Sequence, residues 1–278
     1  MTITAFPTDQ AISQTLSEVK QQVRDNPSEA APRIFLFQLL AVTGEWGRAN
    51  TQLELCGSLD DGAIAMVQMY RDAIGCEALR RGVFAGNKAP LVFGEPAPWI
   101  ASLLEALRLE ANGEFAAARA LRDQAFEEAP TSSGTLESTT QASEKAETVE
   151  QDFEWIADAD TRLGPTIEAI INGKYYWVPW SNVKQVHVEA PCDLRDVVWV
   201  PAFFTWSNGG ESPGLIPTRY PGSDTSEDDA IRLAKRTEWD ETPSGGFHGL
   251  GQRMLATESG DFPLMDVRTI TLNNETQA

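Results

Sequence analysis

The 278-residue sequence is poor in cysteine and histidine, with three of the first and two of the second. Cys56, Cys76 and Cys192 are an odd number, widely spaced and without a Cys-x-x-Cys pair, so they indicate neither a disulfide framework nor a zinc site, and a reducing compartment fits best. His187 sits in an alternating, strand-like run and His248 in the glycine-rich stretch Gly245–Gly251, away from any nucleophile motif. No Gly-x-Ser-x-Gly elbow, His-Glu-x-x-His helix or Gly-x-x-x-x-Gly-Lys-Ser/Thr phosphate loop occurs, and Cys192 has Arg195 as its one nearby cation, so a nucleophilic or nucleotide-cleaving enzyme finds no support. The four glycines between Gly245 and Gly251 follow a Pro-Ser turn and not an apolar strand, which disfavours a dinucleotide fingerprint and predicts a flexible loop.

Long apolar runs are also missing: no stretch of 18 apolar residues exists, and Met1 to Pro7 lacks the basic start and apolar core of an export signal. The expectation is a cytoplasmic, non-spanning protein. Positive charge is scarce, with 22 Lys and Arg against 41 Asp and Glu and a formal net charge of -19, so nucleic acid and anionic membrane surfaces would be repelled. Both halves are acidic, the second more so; a solvated surface explains this as well as steering toward a basic partner does. With 42% hydrophobic residues the chain can bury a sizeable core, and its length predicts about two domains.

In residues 1–130 two segments share a pattern: Leu39 to Ala49 across Gly44, and Leu107 to Ala118 across Gly113. Each reads as a helix, a glycine turn and a second helix opened by an aromatic, Trp46 or Phe115, with a small alanine where the helices approach. The spacing of the two glycines is close to twice a tetratricopeptide period, and Pro130 falls where that repeat places its terminating proline. A degenerate middle repeat is expected over Ala63–Leu79, followed by an irregular Pro/Gly connector over Val83–Trp99. Stacked helix pairs leave a concave face that suits a peptide or helix, although the same helices could simply scaffold the second half.

Residues 131–150 are Ser, Thr, Glu and Gln with almost no large apolar side chain, the composition of a solvated linker. After it, residues 151–278 change to short β-like runs. Asn172-Gly173 between Ile167–Ile171 and Tyr175–Val178 predicts a hairpin; Val183–Glu189, Val197–Thr205, Arg253–Ala256 and Leu264–Leu272 predict further strands, and Ser226–Lys235 a capped helix. The expected architecture is multidomain: TPR-like helical repeats, then a mixed, largely antiparallel α+β domain.

Asp158-Ala159-Asp160 with Arg162 behind is the one pattern that suggests a metal, because two carboxylates two residues apart can share a divalent cation. A metal-dependent enzyme using Asp158 and Asp160 is the alternative function this pattern raises; equally, the two carboxylates could brace the turn at Leu163-Gly164-Pro165 and pair with arginines such as Arg162 or Arg195. The second half is also dense in aromatics interleaved with arginine, a composition favoured at protein interfaces and equally at home in a core held by buried ion pairs to Asp158, Asp160, Asp193 and Asp196. Taken as a recognition surface, the candidate partner-binding residues are Trp46, Trp155, Asp158, Asp160, Arg162, Tyr176, Trp177, Arg195, Trp199, Arg219 and Arg253.

These residues recur in longer blocks. Arg33 to Ala49, Phe153 to Pro165, Asn172 to Pro179, Ala190 to Asp196 and Gly251-Gln252-Arg253, in this order along the chain, resemble the signature blocks of the ImpE (TagJ, SciE-type) family. The resemblance implies a non-enzymatic cytoplasmic accessory factor of the bacterial type VI secretion system, without cofactor or metal. It further implies binding of the small sheath subunit through that subunit's N-terminal helix and assistance to ClpV-linked sheath recycling. A purely structural subunit is the remaining reading of the same residues.

Overall fold

A computed structural model describes residues 10–140 and 147–274. Six helices come first: α1 (Ile12–Asp25), α2 (Ala30–Val42), α3 (Trp46–Leu59), α4 (Ile64–Phe84), α5 (Pro98–Ala111) and α6 (Phe115–Glu128), with the short strand β1 (Leu91–Val92) between α4 and α5. Both predicted glycine turns form. Gly44 at φ +69° and Gly113 at φ +81° take the left-handed position that ends α2 and α5. The amides of Glu45 and Glu114 then reach back to the carbonyls of Leu40 and Leu109 at 2.8 and 2.9 Å, the closure that satisfies a helix's last carbonyls. Between these two hairpins the expected middle repeat is one unbroken helix, α4, and the expected irregular connector contributes β1 to the sheet.

The remaining chain is mostly strand: β2 (Gly134–Thr140), β3 (Glu147–Phe153), β4 (Ala157–Asp158), β5 (Thr166–Ile171), β6 (Lys174–Pro179), β7 (Val183–Val188), β8 (Trp199–Trp206), β9 (Glu211–Pro217), a one-turn helix α7 (Asp229–Arg232), β10 (Thr237–Glu241), β11 (Phe247–Gly251), β12 (Met254–Thr257), β13 (Gly260–Pro263) and β14 (Val267–Leu272). Nine strands make the main sheet in the order β1-β6-β5-β9-β8-β7-β14-β2-β3, antiparallel except where β1 joins β6. β13-β12-β4 and β10-β11 are smaller sheets. Asn172 and Gly173, both at positive φ, close the β5–β6 hairpin as their sequence requires.

Strand alternation divides two cores. Ile170, Tyr175, Trp177, Trp199 and Leu215 face the helices and join Phe37, Leu40, Tyr70 and Leu103 in one cluster. Ile167, Val178, Val200, Phe204 and Ile216 form the other, with Ile156 and Leu255 contributed by the β4–β12 region. The helical half and the sheet are therefore packed on a shared core. Polar ties reinforce this: Asp229 of α7 accepts the first amide of α1, from Ile12, at 2.9 Å, and Arg219 donates to the Val42 carbonyl at the end of α2 at 2.9 Å.

Three expectations are corrected. The linker placed over 131–150 is largely sheet: β2 lies between β14 and β3, buries Leu136 and has ladder partners on both sides. Its polar composition goes with a place at the end of the sheet, β3 being the edge strand and β2 the next one in, where the backbone ladder substitutes for apolar burial; residues 141–146 of that expected linker lie outside the described residues. The glycine-rich stretch 245–251 is not a loose loop, since β11 runs through it and pairs with β10. Its glycines serve close approach: a β-carbon on Gly249 would stand 2.2 Å from the Tyr220 ring. The helix expected over Ser226–Lys235 contracts to α7, capped by Asp228 and ended by Ala234 at φ +53°.

Candidate functional site

Where α4 crosses the sheet, the charges that looked like surface anchors are buried. Arg80 on α4 meets Glu168 on β5 through Nε at 2.6 Å and Nη2 at 2.9 Å, and also donates to the Arg219 carbonyl at 2.7 Å. Arg253, wholly buried just ahead of β12, bridges the second Glu168 oxygen and Asp158, and gives its Nε to the Pro217 carbonyl at 2.9 Å. The Tyr175 hydroxyl donates to Glu168 and accepts from the Trp177 indole at 2.8 Å. Tyr220 donates to Asp158 at 3.0 Å and accepts the Met254 amide at 3.0 Å. Each charge has an opposite partner and each polar ring atom a hydrogen bond, the condition under which buried charge is tolerated.

Asp160 completes the turn the sequence suggested. Its carboxylate accepts the Arg162 amide and Nε, each at 2.9 Å, and the Gly249 amide at 2.9 Å, while its own amide donates to Asp158 at 2.9 Å. The bracing reading of Asp158 and Asp160 is thus the observed one, with Arg253 and Arg162 where the metal reading would put a divalent cation. Among the described residues no group of three or more His, Cys, Asp or Glu is arranged to hold a metal. Arg195 instead pairs with Asp193 at 3.4 Å and lies over the Tyr70 ring.

Burial and charge act in opposition on these groups. Burial alone would raise Glu168, but the guanidiniums of Arg80 and Arg253 hold its carboxyl down to about 2. Asp158, with one guanidinium and the neighbouring Asp160 charge, is pushed up to about 6, desolvation being the larger effect. Arg219 has backbone carbonyls and no carboxylate in contact, and burial lowers it to about 10.

Of the eleven candidate partner residues, Asp158, Asp160, Trp177, Trp199, Arg219 and Arg253 are buried and offer a partner no surface, which corrects their reading as interface anchors. Trp199 gives its indole to Glu77 at 2.8 Å and packs against Trp46 and Tyr70 at centroid separations of 5.7 and 6.0 Å. Trp46, Arg162, Tyr176 and Arg195 are half-buried, and Trp155 stands out at 40% exposure. Sequence reasoning missed Arg80, Glu77 and Glu168. Glu168 carries the one charge of the apolar strand Thr166–Ile171, a visible signal; Arg80 has only its place in a helix to announce it.

What remains open to a partner is concave. Between the N-terminal half of α4 and strands β8 and β9 runs a groove of about 490 Å³, with Ala65 and Met69 on the helix wall and Pro201, Phe203, Pro213 and Leu215 along the sheet. Met69 and Phe203 are 43% and 41% exposed, unusual for large apolar side chains on neighbouring elements. The groove is there because α4 covers β5, β6 and the start of β8 and leaves the rest of the strand uncovered.

The family model described as ImpE protein matches residues 150–271. The chain is 49% identical over 259 residues to the type VI secretion system accessory component TagJ of Pseudomonas aeruginosa, covering 93% of this chain and 86% of that protein. An X-ray structure of a Vibrio parahaemolyticus protein shares the fold, with a TM-score of 0.79 over 95% of this chain and 94% of its own at 23% identity. The resembling blocks hold part of the buried brace: Asp158, Asp160, Arg162, Tyr175, Trp177 and Arg253 lie in them, whereas Arg80 and Glu168 do not.

Proposed function

This chain belongs to the ImpE family, and we propose that it works as a non-enzymatic adaptor of the type VI secretion system in the cytoplasm. The observation that carries the reading is the 49% identity, over 93% of the chain, to an accessory component of that system. The architecture supports it: the carboxylates that could have served chemistry are consumed in ion pairs, and no helix of the described residues is long and apolar enough to cross a membrane. Its partner is the small sheath subunit, whose amphipathic N-terminal helix lays its apolar face into the groove between α4, β8 and β9; ClpV-linked sheath recycling is assisted by raising the local concentration of that subunit. Met69 and Phe203 supply the apolar contacts, and Gln68, Asp72 and Glu189 a polar rim.

A pull-down with the sheath subunit and its helix-deleted form tests this. Retention of the first and loss of the second is expected, with Met69→Asp and Phe203→Asp each abolishing retention while leaving the thermal melt of the adaptor unchanged. Equal capture of both sheath forms sinks the helix claim, and undiminished capture by both groove variants sinks the groove.

A further inference from the structure

A second concavity lies away from that groove, between the last turn of α6 and β4. It is a crevice of about 440 Å³, with Phe126, Pro130 and Trp155 presenting apolar surface, Ile156 and Pro165 behind them, and Ser132 in its wall. Phe126 and Trp155 are 37% and 40% exposed. Large aromatics left half in water at the mouth of a crevice are what a binding site keeps and a monomer surface otherwise loses.

Two further observations define what the crevice would take. The Ser132 hydroxyl is buried, with its residue 3% exposed, and has no hydrogen-bond partner among the described residues. A buried hydroxyl without a partner is costly, and a ligand carbonyl would satisfy it. The second is charge. No Lys or Arg lines the crevice, and the residues beside Phe126 and Trp155 are acidic: Glu127 and Glu128 close α6, Glu154 precedes Trp155, and Glu258 accepts the Glu154 amide at 2.8 Å. The C-terminal end of a helix carries partial negative charge that a cation normally complements, yet the last turn of α6 contains no basic residue. The salt bridges of the described residues include none to Glu127, Glu128, Glu154 or Glu258. With a net charge of -19 over the whole chain, an anionic lipid or nucleic acid is excluded and a cation is drawn in.

We propose that this crevice docks a basic, apolar peptide segment of a partner protein, one Lys or Arg lying over the Trp155 ring beside the end of α6, an adjacent peptide carbonyl accepting from Ser132, and an aliphatic side chain filling the space next to Phe126. The cation gains from the indole face and from the uncompensated helix end together, so the site discriminates by charge as well as by shape. It is separate from the α4 groove and stands whether or not a sheath helix binds there.

The test is fluorescence anisotropy with the full chain and two fluorescein-labelled heptapeptides, one alternating leucine with arginine and one alternating leucine with glutamate. The arginine peptide is expected to bind saturably at 0.15 M salt and the glutamate peptide not to bind. Trp155→Ala should weaken the arginine peptide at least fivefold, and Ser132→Ala at least twofold, both without lowering the thermal melt; the Ser132 change removes a hydroxyl that nothing satisfies and so cannot cost the fold a bond. Absence of saturable binding, or equal binding by wild type and both variants, overturns the proposal; the latter would assign the attraction to the acidic surface at large.

Discussion

Arg80 and Glu168, 88 residues apart in the sequence, meet across the helix–sheet junction in a two-point ion pair with side-chain exposures of 7% and 0%. Through Glu168 the pair continues to Arg253 and Asp158, so one helix, two strands and the turn before β5 depend on a single line of charge.

Glu168→Gln should therefore be among the most damaging single substitutions. It removes the charge that faces both Arg80 and Arg253 while leaving the guanidiniums buried, and breaking one member of such a set costs about 3–5 kcal/mol. Urea unfolding followed by tryptophan fluorescence measures this; a loss below about 1 kcal/mol would mean that the junction is hydrated and the pairs are weak.

Asp158 should give the stability a pH dependence of unusual sign. Its carboxyl is raised to about 6 in the fold, so the folded state binds its proton more tightly than the unfolded chain does. That contribution is complete below the ordinary carboxylate pKa and is lost as pH rises through 6, about 2–3 kcal/mol in all. Asp158→Asn, which does not titrate, should gain on wild type by that amount between pH 4 and pH 7. Glu168, held down to about 2, acts in the other direction: its stabilisation is present above about pH 4.3 and disappears as the pH falls toward 2. Denaturant midpoints at unit pH steps for wild type and Asp158→Asn check both limbs.

Two glycines should respond oppositely to alanine. Gly249→Ala puts a methyl 2.2 Å from the Tyr220 ring, where burial leaves no room to yield, and should cost about 1–3 kcal/mol. Gly75, inside α4 with nothing within 4 Å of its missing β-carbon, should gain about 0.5–1 kcal/mol from the same change through reduced freedom of the unfolded chain. Thermal melts of the two variants should move in opposite directions.

The thiols should separate by burial. Cys56 and Cys76 are buried, and desolvation pushes both up to about 11, whereas Cys192 is exposed. Ellman's reagent at pH 8 should titrate one thiol per chain at once and the other two only after denaturation, and Cys192→Ser should remove the fast phase.

Much of the fold was legible from local rules. Gly44 and Gly113 mark the two helix turns because a left-handed residue is needed there, and Asn172-Gly173 marks its hairpin for the same reason. Alternation located β7, β8 and β14. The strand pair β2–β3 was not legible, since its residues are those of a solvated linker and what holds them is the ladder offered by β14, a partner more than a hundred residues away. The glycines of β11 misled for a related reason: they look like freedom in a sequence, and they serve here to let Tyr220 and Arg236 approach the backbone.

Amino-acid order alone carried the blocks of Trp, Arg and Asp that resemble one family, and the local turns that set most elements. Which of those residues are buried and which stay exposed was settled by the packing of distant segments. An Asp or Arg reads alike whether it lies at an interface or in an interior, and the difference is whether a partner from a distant segment, an opposite charge or a backbone group, waits for it. For Asp158, Asp160, Arg219 and Arg253 partners from distant segments are in place, so these residues of the family-like blocks and their neighbours brace the core, while Met69, Phe203 and Trp155 are the large apolar side chains left exposed beside the two concavities.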